Sequence, residues 1–190
     1  MNSKRIAFAL CGSYCTFSKA IPQMEKLKEQ GYDIIPIMSQ NASSTDTRFG
    51  TAKEFLDKLE NISQKKVIKT IKDAEPLGPK NMCDALVIAP CTSNTLAKLS
   101  SGITDTSVTM SCKSLLRVGK PVVIALASND ALGISAQNLG KVMNFKNLYL
   151  VPMQQDDIIK KPNSLVADFD KVIPTLEKAL EHQQIRPLFV

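Results

Sequence analysis

The chain has 190 residues, 44% of them hydrophobic and 22% charged, which fits one soluble globular domain over residues 1–190 with a C-terminal tail at 183–190. Lys and Arg outnumber Asp and Glu by 24 to 18, and this net charge of +6 is too small to indicate a nucleic-acid partner. The apolar stretches are far shorter than the ~20 residues of a membrane span. With no secretory signal evident, we expect a cytoplasmic protein and no membrane partner.

The predicted elements begin as strand, helix, strand. A strand at residues 6–11 precedes a helix around residues 21–28, which Gly31 ends. The second strand, at residues 33–38, contains Pro36, which has no N–H to donate to a neighbour. That residue places the second strand near an edge of the sheet.

A polar loop at 39–46 then leads to a helix at 51–61, whereas residues 64–74 suit either a helix face or an edge strand. Residues 85–90 are uninterruptedly apolar, which predicts a central strand covered on both faces. The remaining predicted elements are helices at 93–99 and 107–118, a strand at 122–127, a helix at 135–145, a strand at 148–151 and a helix at 165–182.

Repeated strand–helix units predict an α/β fold. The strands form a doubly wound, Rossmann-type parallel sheet with helices on both faces, in three layers. Ligands of such sheets bind beyond the carboxyl ends of the strands. The functional residues are therefore expected directly after each strand.

Small polar groups follow four of the predicted strands. They suit a phosphate, because glycine admits a close backbone approach and hydroxyls and helix N-terminal amides bind anions. The alternative is that each of them only caps a helix or a turn. The groups are Gly12-Ser13, Ser39, the run Cys91-Thr92-Ser93-Asn94-Thr95, and Ser128-Asn129-Asp130.

Several other site types are disfavoured. Neither G-x-G-x-x-G nor G-x-x-x-x-G-K-S/T occurs, which leaves a mononucleotide as the expected ligand. The single histidine, His182, is interpreted as a surface residue, so a catalytic triad does not fit. The five cysteines include no C-x-x-C pair, and we expect reduced, mostly buried thiols with neither a disulfide framework nor a metal site. Cys91 precedes a helix N-terminus, but a buried, inert thiol is favoured there.

Residues 89–105 read APCTSNTLAKLSSGITD. This segment resembles the AP-x-x-x-NT-x-AK-x-x-x-G-x-x-D signature of the flavoprotein family that includes phosphopantothenoylcysteine decarboxylases and flavin prenyltransferases. The resemblance implies FMN bound to a flavodoxin-like sheet. It also implies the residues that hold FMN: Gly12, Ser13 and Ser39 for the phosphate, and Thr92, Ser93, Asn94, Thr95 and Ser128 near the ring system.

Four further stretches, at 47–50, 74–80, 129–133 and 161–167, resemble a subgroup of this family that works in dipicolinate synthesis. The resemblance implies oxidation of dihydrodipicolinate to dipicolinate, a small dicarboxylate, in the mother cell of a sporulating bacterium. The partner would be an A subunit with a nicotinamide-binding fold. Relatives form trimers or higher assemblies such as dodecamers, which implies a homo-oligomer with contacts from residues 106–117, including Met110 and Leu115.

Decarboxylases of this family use a histidine shortly before the Ala-Pro strand and a PAMN turn. This chain has no histidine at 71–76, and Ala127-Ser128-Asn129 replaces the turn. Decarboxylation of a peptidyl cysteine is therefore disfavoured. Two alternatives stay open: a non-catalytic assembly subunit with a retained flavin pocket, and an enzyme like the flavin prenyltransferases or decarboxylases.

No catalytic residue is assigned; the candidates are Arg48, Phe49 and Asp105. Arg48 offers a fork that matches a carboxylate, or else it caps a surface loop while Phe49 fills the core. For Asp105, a helix-capping role is favoured over contact with the flavin. Lys98, Lys113 and Arg117 are interpreted as a solvated helix face.

Overall fold

The computed structural model describes residues 3–190. Five parallel strands run in the order β2-β1-β3-β4-β5. This order confirms the predicted doubly wound, flavodoxin-like α/β sheet. The strands are β1 (Arg5–Leu10), β2 (Asp33–Met38), β3 (Ala85–Cys91), β4 (Val122–Ser128) and β5 (Leu148–Leu150).

Alternate side chains of the sheet point into two apolar cores, one on each face, because successive strand residues face opposite sides. In β1, Ile6, Phe8 and Leu10 belong to one core, whereas Ala7 and Ala9 belong to the other. The first core is covered by α1 (Phe17–Glu29), α3 (Ala52–Ser63) and α8 (Val172–Leu180). The second is covered by α4 (Ile71–Ala74), α5 (Ser93–Ser100), α6 (Ser107–Leu116) and α7 (Ala136–Val142).

The predicted helix at 165–182 is wrong at its start. Residues Leu165–Ala167 form strand β7, which pairs antiparallel with the end of β4 and with β6 (Met153–Gln154). The Asp168 side chain then accepts the Asp170 N–H at 3.1 Å and begins a 3₁₀ turn, so the helix starts only at Val172. Free backbone groups at the end of β4 favour strand pairing over the local helical pattern.

The polar loop at 39–46 is more ordered than predicted, and the segment at 64–74 contains both of the elements that its pattern left open, an edge pairing and a helix. The polar loop contains the short helix α2 (Gln40–Ser44), which Ser39 caps through a hydrogen bond from the Ala42 N–H. In the second segment, Ile68 pairs with Ile37 of β2, and α4 follows. Pro36 accordingly lies in an edge strand, and the Ile68 N–H donates to its carbonyl at 2.9 Å.

The C-terminal tail packs against the far edge of the sheet. Gln184 donates to the Leu150 carbonyl at 2.7 Å and accepts the Leu150 N–H at 2.8 Å. Phe189 forms a parallel β-bridge with Met153, and Leu188 is buried. Among residues 3–190, none of the helices combines the length and apolar character that crossing a membrane requires.

Candidate functional site

Two adjoining cavities open at the carboxyl ends of the parallel strands. We name them the Ser39 cavity, of about 560 Å³, and the Ser128 cavity, of about 640 Å³. Both volumes are typical of small-ligand sites. The two cavities share four lining residues: Gly12, Tyr14, Thr92 and Asn94.

Every predicted cofactor-binding residue lines one of these cavities. Ser39 and Thr95 line the Ser39 cavity, and Ser13, Ser93 and Ser128 line the Ser128 cavity. They converge because parallel strands end at one edge of the sheet. Their role in binding a cofactor stays a prediction.

Thr92 organises the shared wall between the cavities. Its side chain accepts the Thr95 N–H at 3.3 Å and so caps α5, while its own hydroxyl donates to Thr95 Oγ1 at 3.2 Å. The Thr95 hydroxyl donates in turn to the thiol of Cys11, which also lines the Ser39 cavity. Asn94 is exposed, and within residues 3–190 its amide forms no hydrogen bond to another side chain or backbone group. Its donors and acceptor are therefore available to a ligand.

Ser39 connects the end of β2 to α2. Its backbone N–H donates to the Leu10 carbonyl at 3.0 Å, and its hydroxyl oxygen accepts the Ala42 N–H at 3.3 Å. Since the Ser39 hydroxyl donates to no other group among residues 3–190, its proton remains available to a ligand. A group at this position suits an anionic oxygen.

Asp130 joins three serines at the far end of the Ser128 cavity. Its Oδ1 accepts from Ser93 Oγ at 2.5 Å and from Ser128 Oγ at 2.9 Å, and its Oδ2 accepts from Ser135 Oγ at 2.8 Å. These hydrogen bonds, led by the one from Ser93, lower the pKa of the Asp130 carboxyl below its ordinary value. At neutral pH the cluster thus contains an ionised carboxylate.

The predicted cap at Asp105 is wrong. Thr106 caps α6 instead, accepting the Thr109 N–H at 3.1 Å. Asp105 accepts from Lys98 Nζ with both carboxylate oxygens, at 2.9 and 2.8 Å, beside the Ser39 cavity. Only 22% of the Lys98 side chain is exposed, so the prediction that it belongs to a solvated face is wrong too. The hydrogen bond from Lys98 lowers the pKa of the Asp105 carboxyl.

Phe49 does not fill the core, contrary to one of the two interpretations above. Its side chain is 47% exposed and lines the Ser128 cavity. The guanidinium of Arg48 stacks on its ring, with 4.9 Å between the guanidinium carbon and the ring centroid. Because Phe49 lines the cavity, the pair places a cation and an aromatic ring next to it.

The two buried thiols near the site, Cys11 and Cys91, are protonated. Burial raises the pKa of Cys11 to about 11 and that of Cys91 well above its ordinary value. Cys91 lies within β3 and is fully buried, so the helix N-terminus after it does not make it reactive.

Several lining residues were missed from the sequence. Tyr14, two residues after Gly12, donates from its hydroxyl to the Asn41 carbonyl at 2.8 Å and stands between the cavities. Asp156, Lys161 and Val166 reach the Ser128 cavity because the β6–β7 hairpin folds back onto β4. Nothing in the local sequence around these residues indicates that they lie at the cavity.

Comparison with known proteins identifies relatives over the full chain. The model of the family described as Flavoprotein matches residues 1–179. The B subunit of dipicolinate synthase from Bacillus subtilis (strain 168) is 44% identical over 190 residues, covering 100% of this chain and 95% of the relative.

Two solved structures share the fold. The crystal structure of the dipicolinate synthase B subunit from Bacillus halodurans has a TM-score of 0.90 and 41% identity, covering 98% of this chain and 96% of that one. Burkholderia xenovorans DmrB in complex with FMN has a TM-score of 0.72 and 20% identity, covering 95% of this chain and 97% of that one. The second likeness is one of fold alone.

Proposed function

Because the chain belongs to the Flavoprotein family, we propose that it is the FMN-binding subunit of a dipicolinate synthase and works with a nicotinamide-dependent A subunit to oxidise dihydrodipicolinate to dipicolinate during sporulation. The observation that carries this proposal is the pair of adjoining cavities that join Gly12, Ser13 and Ser39 to the Thr92–Thr95 wall and Ser128. Full-length similarity to the B subunit of dipicolinate synthase supports the choice of substrate.

The residues present fit FMN in both size and chemistry. The Ser39 hydroxyl has a free proton for a phosphate oxygen, and Gly12 leaves room for the backbone to approach the ligand. A β-carbon at Gly12 would lie 3.5 Å from the Tyr14 ring, in ordinary contact, so the packing of the fold does not itself require glycine here. Asn94, unpaired within the described residues, offers hydrogen bonds to both cavities.

FMN, when bound, supplies a two-electron acceptor. Conversion of dihydrodipicolinate to dipicolinate removes two electrons and two protons and leaves an aromatic ring. The chain's own residues then have to bind, orient and shield the reactants rather than provide a reactive atom. A fold with one histidine, exposed and outside both cavities, can serve this chemistry.

The Ser128 cavity fits the dicarboxylate. Lys19 and Lys161 line it, and Arg48 stacks on Phe49, which lines it as well. Lys161 also pairs with Asp156 at 2.6 Å, so Lys19 and Arg48 are the cations that we assign to the substrate carboxylates. A flat ring between them would contact the exposed face of Phe49.

The test of the cofactor is binding of FMN to the purified chain, followed by flavin absorbance and fluorescence quenching. We expect Ser39→Ala and Asn94→Ala each to weaken FMN binding about three- to tenfold, the effect of one lost hydrogen bond. Ser43→Ala is the matched control, because Ser43 lies on the same short helix and lines neither cavity. Wild-type protein that never binds FMN would refute the cofactor assignment.

A non-catalytic assembly subunit is the second candidate, and the absence of histidine from both cavities favours it. Mixing experiments separate the two. If the isolated A subunit forms dipicolinate at the full rate without this chain, the catalytic proposal fails. If the chain restores activity only when loaded with FMN, the assembly candidate fails.

We also propose that the chain forms a homo-oligomer, a trimer or a dodecamer. The expected contact at Leu115 is wrong, because this side chain is fully buried in the core, and Met110 is partly buried against the same core. Nearby, Ile103 and Phe145 expose apolar surface beside α6. A monomeric mass in light scattering would contradict self-assembly.

A further inference from the structure

Ser93, Ser128 and Asp130 form a carboxylate–serine cluster at the end of the Ser128 cavity, and the hydroxyl protons of both serines are used within it. Ser93 Oγ, Ser128 Oγ and Asp130 Oδ1 lie in mutual contact, with 2.5 Å between the two hydroxyl oxygens. The two serines bring two hydroxyl protons, and the ionised carboxylate brings none. Both hydroxyl protons are therefore donated to hydrogen bonds within the cluster.

The backbone adds a further constraint. The Asp130 N–H donates to Ser128 Oγ at 3.2 Å, so this oxygen both donates and accepts within the cluster. One lone pair remains on Ser128 Oγ, and one remains on Ser93 Oγ, even if that oxygen accepts from Ser128. The surface that these hydroxyls present to the cavity accepts hydrogen bonds and has none to donate.

The fold holds the carboxylate in this position. Asp130 Oδ2 accepts from the buried Ser135 hydroxyl, and the Asp130 carbonyl accepts the N–H groups of Gly133 and Ser135 at 2.9 and 3.3 Å. Three donors to one carboxylate favour its ionised form. Asp130 is thus set in place by the loop after β4 rather than by the ligand.

The two cavities consequently differ in polarity. Ser39 keeps a free hydroxyl proton and suits an anionic oxygen, whereas the Ser93–Ser128 end would leave such an oxygen facing lone pairs and a negative charge. An anion placed against these two serine oxygens is therefore unfavourable.

We propose that Asp130 is a positioning residue that turns Ser93 and Ser128 into a paired acceptor for an N–H group of the bound ligand. This inference rests on the proposed function, and it adds which chemical group is recognised at this end of the site. Two sources carry such a group: the one ring N–H of oxidised FMN, or the ring N–H of a reduced pyridine dicarboxylate.

The probes for the two sources are matched pairs. FMN is compared with 3-methyl-FMN, in which the ring N–H is replaced by a methyl group. In FMN-loaded protein, pyrrole-2,5-dicarboxylate, a flat dianion with a neutral ring N–H, is compared with furan-2,5-dicarboxylate, a flat dianion with none. The readout is the ratio of the two dissociation constants, since a purely structural role of Asp130 would change both members of a pair alike.

Three variants test the cluster. Ser128→Ala removes one acceptor. Asp130→Ala releases both serine protons and leaves both serine side chains in place, but it also opens space beside them, so its effect is compared with that of Ser128→Ala. Ser135→Ala is the control, because Ser135 bonds the other carboxylate oxygen and does not line the cavity. Circular dichroism and urea midpoints show whether each variant is folded.

We expect wild-type and Ser135→Ala protein to prefer the N–H member of one pair about tenfold. In Ser128→Ala and Asp130→Ala we expect this preference to disappear, so that the ratio of the two dissociation constants is about 1. Preference within the FMN pair assigns the flavin as the source, and preference within the dicarboxylate pair assigns the substrate. Equal binding within both pairs by wild-type protein, or a preference that survives in Asp130→Ala, overturns the inference. If wild-type protein binds no FMN, the proposed function fails, and the dicarboxylate pair, measured on the unloaded chain, decides the inference by itself.

Discussion

Gly78 lies so close to Ser114 that a β-carbon on it would come within 1.8 Å of the Ser114 carbonyl oxygen. The Gly78 N–H donates to Ser114 Oγ at 2.9 Å, and that hydroxyl donates to the Glu75 carbonyl at 2.6 Å. These contacts fasten the turn before β3 to α6. The residue at 78 must therefore be glycine for α6 to pack as it does.

We expect Gly78→Ala to lower the free energy of unfolding by about 1–3 kcal/mol or more, because the backbone must shift to relieve the clash. Gly140→Ala is the matched control. Gly140 lies exposed in α7 with nothing within 4 Å of the added carbon, so this change should stabilise the protein by about 0.5–1 kcal/mol. Urea unfolding followed by circular dichroism measures both. Equal midpoints for the two variants would contradict the close approach at Gly78.

The Lys98–Asp105 pair should make stability depend on pH. Since the folded-state pKa of Asp105 is below its ordinary value, the ionised carboxylate stabilises the fold at neutral pH, and this contribution is lost as the pH falls through that lowered pKa. We expect a lower urea midpoint for Asp105→Asn than for wild type at pH 7, and a gap that closes towards pH ~3.

Lys98→Met provides the converse change. In a double-mutant cycle at pH 7, the two substitutions should not be additive, because each removes the same interaction. A gap between wild type and Asp105→Asn that is constant from pH 7 to pH ~3 would show that the carboxylate charge contributes nothing.

Only one thiol should react in the folded protein. Cys15 is exposed, whereas the other four cysteines are buried. Burial raises the pKa of Cys11 and Cys83 to about 11 and that of Cys112 to about 12, so almost no thiolate is present at pH ~8. Iodoacetamide at that pH should give a single adduct by mass spectrometry and five adducts in denaturant. Rapid labelling of Cys91 in the native state would contradict its buried position.

Arg48 should affect the substrate and not the cofactor. We expect Arg48→Gln to weaken dicarboxylate binding by about tenfold or more, because a charge-assisted hydrogen bond is lost, while FMN binding stays within about twofold. Titration of FMN-loaded protein with dipicolinate measures the effect. Arg117→Gln serves as the control, since Arg117 pairs with Glu75 at 2.6 Å outside both cavities. Unchanged dicarboxylate binding by Arg48→Gln would remove Arg48 from the site.

The sequence could predict those parts of the site that lie directly after parallel strands. Gly12, Ser39 and Thr92 follow three different strands, and Ser128 ends a fourth. Because parallel strands end at one edge, the convergence of these residues needs only the strand assignments. Asp105 shows the limit of such reasoning. Its neighbour Thr106 caps the helix instead, and Lys98, seven residues earlier, draws the carboxylate away. Asp105 and Thr106 both lie where a side chain can cap α6, and their positions in the sequence do not say which of them does so.

The sequence by itself determined the α/β class, the doubly wound parallel sheet and the family, because apolar runs of strand length and a long motif are local properties of the chain. The features that depend on antiparallel strand pairing and on side-chain contacts were decided by the tertiary structure. Residues 165–167 became a strand only because β4 offered free backbone groups, and that pairing brought Asp156 and Lys161 to the cavity. The acceptor character of Ser93 and Ser128 likewise arises only where the loop after β4 places Asp130 against the start of α5, since a hydroxyl donates or accepts according to its neighbours.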